Sequence, residues 1–357
     1  MRDVPQVSRR RFFAIGGATA AVAAAAGAGG QVLQDERFSV NTSAVKIGRV
    51  KAPGLARGTQ ITDIPGLSAF YTPNARFYRV DTALVIPQVP ASSWQLRIHG
   101  MVDRPMTLTL DDLMKLPMED HDVTLTCVSE TVGGGYIGNA RWQGTMLAPI
   151  LKKAGVQKGA DQIVMRDVNG MNLGVATDPV LDGRASMLAI GMNVTALPQL
   201  HGFPVRVVVP GLYGYVSACK WVVDMELTTF GAFNAYWSQR GWSQQALIKT
   251  ESRIDTPVHG TSLGAGKVMI AGVAWAQHRG IEAVEVHVDG TWRPATLAAQ
   301  DTIDTWRQWY CPWQATPGRH TIQVRATDKA GYTQTAVMSK PEPNGATGYH
   351  TVVVTVS

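Results

Sequence analysis

The sequence predicts an α+β protein: a larger region of mixed sheets with short helices, followed by a β-sandwich of immunoglobulin type. Three observations carry this. Toward the carboxyl end Val284, Val286 and Val288 alternate with Glu285, His287 and Asp289, and Asp289-Gly290 then supplies a hairpin turn. In the middle, the valine-rich run Val205 to Val209, ended by Pro210 and Gly211, has the character of a strand inside a sheet covered on both faces. Helical spacing is confined to short stretches, the best being Met146, Leu147, Ile150 and Leu151.

The length of 357 residues allows two domains, each able to bury its own core. Hydrophobic residues at 45% and charged residues at 17%, with 36 Gly and 19 Pro, indicate a loop-rich globular chain with much strand. The formal charge is +6, of which Arg2, Arg9, Arg10 and Arg11 less Asp3 supply +3. No basic helix or regularly spaced Lys/Arg with aromatics follows, which argues against a nucleic-acid partner. The three cysteines, Cys127, Cys219 and Cys311, form no C-x-x-C or C-x-x-C-H pattern, so a zinc ribbon, a thioredoxin site and a covalent haem are not expected. An odd count leaves at least one thiol free or paired between chains, with a Cys219 to Cys311 bridge left open.

Taken in order, residues 8–13, SRRRFF, precede an Ala/Gly-rich apolar run from Ala14 to Gly30. A charged front before small apolar residues has the layout of a twin-arginine export signal or a membrane anchor over residues 1–30. Residues 31–65 read as a linker and extended arm. A first folded region, 66–245, opens with strands expected over Tyr78 to Leu84 and Trp94 to Gly100, the latter alternating Leu96 and Ile98 with Arg97 and His99. Thr109 and Asp112 form a capping signal for a short helix that Pro117 stops. For the helix near Met146, Lys152 and Lys153 suit the negative end of the dipole and Gly155 closes it.

The sandwich is expected over residues 250–357, with Ile322, Val324 and Ala326 alternating and Thr351 to Val356 as a last strand. Five of the ten tryptophans lie there; core packing explains Trp275, while Trp306, Trp309 and Trp313 beside Arg307 suit a core or a domain interface equally.

Two stretches carry chemistry. Thr124 to Trp142, TLTCVSETVGGGYIGNARW, puts Cys127 at a strand end before Gly133, Gly134 and Gly135, where backbone without β-carbons can approach a bound group closely. Taken alone, Cys127 reads as well as a small buried hydrophobe. Residues 201–221, HGFPVRVVVPGLYGYVSACKW, gather His201, Arg206, Ser217 and Lys220 around glycines, which are the donors a phosphate needs. A thiolate is a soft ligand for a transition metal, and one cysteine cannot hold a metal unaided. A cofactor bearing its own sulfurs and a phosphate accounts for both stretches.

With these motifs the chain resembles the sulfite oxidase family of molybdenum enzymes over nearly all its length after about residue 65: Cys127 with Gly138 to Trp142, the HGFPVRVVVPG run ending in Lys220-Trp221, and the sandwich patterns Gly272 to Trp275 and Val284 to Gly290. The resemblance implies a molybdenum–molybdopterin cofactor with Cys127 as the metal ligand. It implies that His201, Arg206, Ser217 and Lys220 hold the pterin and its phosphate, that the segment Phe77, Tyr78, Arg79, Val80, Asp81 lines the site, and that Asp167 contacts the pterin. Oxygen-atom transfer follows, with Arg79 guiding the substrate and electrons exchanged with a separate carrier, a cytochrome or a membrane haem protein. Pairing through the sandwich is implied as well.

Three departures bear on the substrate. Where sulfite oxidases carry Arg-Asn-His, this chain has Arg79-Val80-Asp81; the arginine that follows the cysteine in the family is absent, with Glu130 in its region; and Trp242 falls at about the place of the family's active-site tyrosine. A site for a dianion wants that positive charge. Oxidation of a sulfur compound and reduction of an S-oxide or N-oxide therefore both stay open, beside a non-catalytic exported binding or adhesion protein on the same scaffold.

Overall fold

In the computed structural model, which describes residues 40–42, 45–48, 54–81, 83 and 85–357, regular structure is mostly β-strand with a few short helices. The export-signal and anchor readings over residues 1–30 lie outside the described residues, as does most of the arm up to residue 53. Among the described residues no helix is long and apolar enough to cross a membrane. Residues 42–357 form one compact unit.

Local signals set the helices. Asp112 N–H donates to Thr109 Oγ1 and Thr109 N–H to the Asp112 carboxylate, each at 3.2 Å, a reciprocal cap for the helix Leu110–Met114. The helix Leu147–Ala154 buries Leu147, Ile150, Leu151 and Ala154 on one face and ends at Gly155 in the left-handed region.

Two sheets build the first region. One runs in the order Met106–Thr109, Gln95–Gly100, Val222–Thr228, Gln162–Asp167 and Asn172–Ala176, with the second and third strands parallel. In the other, Glu119–Thr126 pairs with Ile137–Met146, which pairs with Met187–Met192. Its core joins Val123, Leu125, Trp142, Met187 and Val208 to Phe77. The valine-rich run is buried as expected, but only Arg206–Val208 is strand and it pairs with Met187–Met192 alone. Its other edge bonds to a turn, through Val207 N–H to Cys219 O at 2.8 Å and Val209 N–H to Ser217 O at 3.2 Å. Pro204 and Pro210, which lack N–H donors, bound a strand this short. The strand expected over Tyr78 to Leu84 does not form in its described residues; that segment runs irregularly along the wall of a cavity.

The second region is a two-sheet sandwich. Glu251–Thr256, Gly266–Trp275, Arg307–Ala315 and Thr296–Leu297 make one sheet; Ser262–Leu263, His350–Val356, Gly318–Asp328, Ile281–Val288 and Thr291–Pro294 the other. Ile254, Ile270 and Trp309 of the first pack with Val286, Val324 and Val354 of the second. The Asp289-Gly290 hairpin turn has positive φ at both residues, 47° and 96°.

The tryptophan group divides. Trp309 and Trp313 lie in the sandwich core, whereas Trp306 donates its backbone N–H to Thr124 Oγ1 (2.7 Å) and its indole N–H to Phe70 O (2.9 Å), tying the two regions together. Trp275 is buried, and the pleat puts it on the sheet face opposite Trp309. Cys219 and Cys311 are both free thiols, so the bridge left open by the sequence is not made.

Candidate active site

The two chemistry-bearing stretches meet at one cavity. The strand Glu119–Thr126 ends against Ile137 and delivers Cys127 directly after it, with the Cys127 N–H donated to Tyr136 O at 2.9 Å. From the partner strand Trp142 turns its ring under Arg206, whose guanidinium carbon stands 4.8 Å from the ring centroid. At Gly202, with φ of 110°, a β-carbon would stand 3.1 Å from Lys220 Cα, so only glycine lets this turn press onto the lysine. The resulting cavity, about 230 Å³, is lined by both stretches and by the irregular segment that begins at Phe77.

Of the residues singled out from the sequence, the cavity brings together Phe77, Tyr78, Asp81, Cys127, Asp167, His201, Arg206, Lys220 and Trp242. Arg79 does not line it. Its side chain is 43% exposed at the rim and donates to Asp81 at 2.9 Å. Ser217 also falls outside, because its hydroxyl donates back to the Leu212 and Tyr213 carbonyls at 2.9 and 3.0 Å. That local bond leaves the side chain no reach toward a phosphate. The glycine run serves a different contact from the one expected: Gly133 lies against the His350 ring, and the Gly134 carbonyl accepts from Arg253 Nη1 at 2.8 Å. The absent β-carbons there let the sandwich approach, and none of the three glycines lines the cavity.

The charges are unevenly matched. Arg206 is 5% exposed; Nη1 donates to His201 O at 3.2 Å, and Nε has no partner. Burial lowers its pKa to about 10, because no carboxylate offsets the desolvation. Lys220 donates to the same Asp81 oxygen that Arg79 uses, at 2.8 Å, and burial brings it down to about 8 against the pull of that carboxylate. Burial would raise Asp81, but the bonds from Lys220 and Arg79 outweigh it and hold the carboxyl below its usual range. Asp167 is pushed up by burial.

His201 is lowered to about 4, chiefly by burial, and is neutral at pH 7. Its Nε2 faces Asn74 O at 3.0 Å, which requires the proton on Nε2. Burial raises the Cys127 thiol while Ser129 hydrogen bonds act against it, and burial raises the Tyr78 phenol. Arg79 and Lys220 thus share one carboxylate, and the buried Arg206 guanidinium, without a counter-ion, is the feature an anionic ligand completes.

Sequence reasoning missed Ser129, Tyr215, Cys219 and Trp237, which also line the cavity. Tyr215 and Cys219 lie within the stretch flagged for its donors, and Trp237 lies shortly before Trp242 in sequence. The helix Gly214–Ser217 is one turn long, and only its register decides that Tyr215 faces the cavity while Ser217 faces its own backbone.

Comparison with known proteins agrees with this architecture. A family model described as oxidoreductase molybdopterin binding domain matches residues 83–237. Mitochondrial sulfite oxidase of Rattus norvegicus is 30% identical over 291 residues, 68% of this chain and 52% of that protein. An uncharacterized oxidoreductase of Bacillus subtilis (strain 168), YuiH, is 31% identical over 151 residues, 42% of this chain and 73% of that protein. The crystal structure of the sulfane dehydrogenase SoxCD from Paracoccus pantotrophus matches with a TM-score of 0.69 at 22% identity, over 88% of this chain and 91% of that one, which shows a shared fold. The chain spans about half the length of the curated sulfite oxidases it matches.

The residues present fit a molybdenum–molybdopterin cofactor. Cys127 offers one soft ligand to a metal. Among the described residues no three His, Cys, Asp or Glu side chains converge to hold an ion, so the other ligands come with the cofactor. Arg206, with its unpartnered Nε, and Lys220 offer the cationic end that a phosphate takes.

Proposed function

This chain belongs to the sulfite oxidase family of molybdopterin-dependent oxidoreductases, and we propose that it carries out oxygen-atom transfer on a small, neutral, sulfur-containing substrate such as an organic S-oxide. One observation carries the choice of a neutral substrate: Arg79 and Lys220 both donate to one oxygen of Asp81, at 2.9 and 2.8 Å. The third cation, Arg206, is buried over Trp142's ring and is the one left for the cofactor's phosphate. Asp81 thus offsets one of the two charges of Arg79 and Lys220, leaving less positive charge than a dianion wants, and Val80, Val128, Met171, Leu173, Trp237 and Trp242 add apolar walls to the cavity.

The bound cofactor supplies the oxygen-atom exchange and stores the electrons. The chain's own contribution is placement. Cys127 ligates the metal, Arg206 and Lys220 hold the phosphate, neutral His201 keeps its Nε2 proton on Asn74, and the Trp237 and Trp242 rings exclude water from the mouth. The export-type amino terminus supports a periplasmic or other extracytoplasmic location with an optional membrane tether. Electrons come singly from a separate cytochrome or membrane haem protein, and the sandwich offers a surface for a homodimer.

The test is a substrate screen with artificial electron carriers on protein from a cofactor-sufficient host. The expected result is reduction of dialkyl S-oxides with a kcat/KM well above that for sulfite oxidation. Sulfite turnover that exceeds S-oxide turnover overturns the reading.

A further inference from the structure

With Arg79 and Lys220 both already bonded to Asp81, the oxygen of a neutral substrate calls for another hydrogen-bond donor in the cavity. Three hydroxyls line it, those of Tyr78, Ser129 and Tyr215. Tyr215 is committed, its hydroxyl donating to Ser243 O. Ser129 lies close enough to the Cys127 thiol to act against the rise that burial gives it. The Tyr78 hydroxyl has no hydrogen-bond partner among the described residues.

Its position is well defined. A β-carbon at Gly214 would stand 3.6 Å from Tyr78 Oη and 3.7 Å from the Thr126 carbonyl, so the phenol and the backbone leading into Cys127 flank the same glycine. The ring stacks on Phe77 with centroids 5.3 Å apart, and Phe77 packs edge-on against Trp142 (5.7 Å) and His201 (5.5 Å). These contacts fix the ring and leave the hydroxyl unspent, as preorganised donors require.

We infer that Tyr78 is a catalytic residue that donates a hydrogen bond from its phenol to the oxygen of the bound substrate, next to the metal ligand Cys127. The phenol keeps its proton throughout; its role is to orient the oxygen and to stabilise charge that develops on it. This rests on the S-oxide reading above.

The experiment compares the parent with Tyr78→Phe, measuring molybdenum and pterin content, S-oxide reduction kinetics, and affinity for dimethyl sulfone, an unreactive hydrogen-bond acceptor of similar shape. Expected are unchanged cofactor content, a fall in kcat/KM on the order of 10²-fold, and sulfone binding weakened roughly 10-fold, as loss of one buried hydrogen bond gives. Parental kinetics and sulfone affinity in a fully loaded variant overturn the proposal. Loss of cofactor from the variant overturns it too, since Tyr78 then holds the pterin and not the substrate. A loaded parent that turns over no S-oxide contradicts the function proposed above, while the sulfone affinities still decide the role of Tyr78.

Discussion

Two arginines in this molecule are enclosed in different ways. Arg141 lies where the regions meet, with Nε and Nη2 on the two oxygens of Asp122 at 2.8 and 2.7 Å, and the Tyr71 hydroxyl donates to the same carboxylate at 2.7 Å. The bond to Asp122 raises its pKa above the ordinary guanidinium value. Arg206 reaches only carbonyls and a ring face, keeps one N–H unpartnered, and is lowered. The protein completes the first and leaves the second for a ligand. A buried charge with its own partner belongs to the fold, and one without belongs to the function.

The comparison breaks most readily through paired substitutions. Arg206→Met is expected to strip the protein of most of its molybdenum and pterin, while the cofactor-free form changes in stability by less than about 1 kcal/mol, since an unpaired buried charge gives way to packing of similar volume. Metal analysis and urea denaturation of cofactor-free protein check both halves. Arg141→Met should do the opposite. Leaving Asp122 buried without its cation costs about 3–5 kcal/mol in the same urea experiment, with molybdenum per folded chain unchanged.

A third test concerns Glu251, a buried carboxyl at the start of the sandwich. Burial, with the charge of Glu130 adding to it, raises its pKa to about 8, so the folded state holds a proton that the unfolded chain releases in the ordinary glutamate range. Its contribution to stability is complete at acid pH and is lost as pH rises through about 8. Melting temperature of the parent should therefore fall as pH rises from the ordinary glutamate range to about 8 and level off above it. Glu251→Gln should flatten that decline, leaving the smaller slope from Glu130, which burial raises to about 7.

The smallest effect is expected at the seam between the regions. Trp306→Phe removes the indole bond to Phe70 and should cost about 0.5–1.5 kcal/mol in urea, with no change in cofactor content.

Much of this was legible in the sequence where one residue type admits one physical role. Thr109 with Asp112 and the Lys152-Lys153-Gly155 ending gave two helices at their observed places. A cysteine after a β-branched strand end, and an arginine, histidine and lysine gathered around the valine-rich strand, gave the cavity's two walls. Side-chain direction was not legible. Ser217 and Tyr215 sit two residues apart on one helical turn, and composition cannot say which faces the ligand. The glycines after Cys127 signalled close approach correctly but not of what, because His350 lies more than 200 residues away in sequence. Tyr78 to Leu84 reads as a strand in the sequence, and only the tertiary structure shows Tyr78, Val80 and Asp81 spent on the cavity wall.

The central claim is that Cys127 and Arg206 serve one ligand, and molybdenum analysis tests it most directly. Parent, Cys127→Ser and Arg206→Met proteins are purified from a host that makes the cofactor, and metal and pterin are counted per folded chain. About one of each is expected in the parent, as a single thiolate ligand implies, with no retained metal in Cys127→Ser and joint loss of metal and pterin in Arg206→Met. Folded parent protein with no molybdenum, or an Arg206→Met protein as fully loaded as the parent, contradicts it.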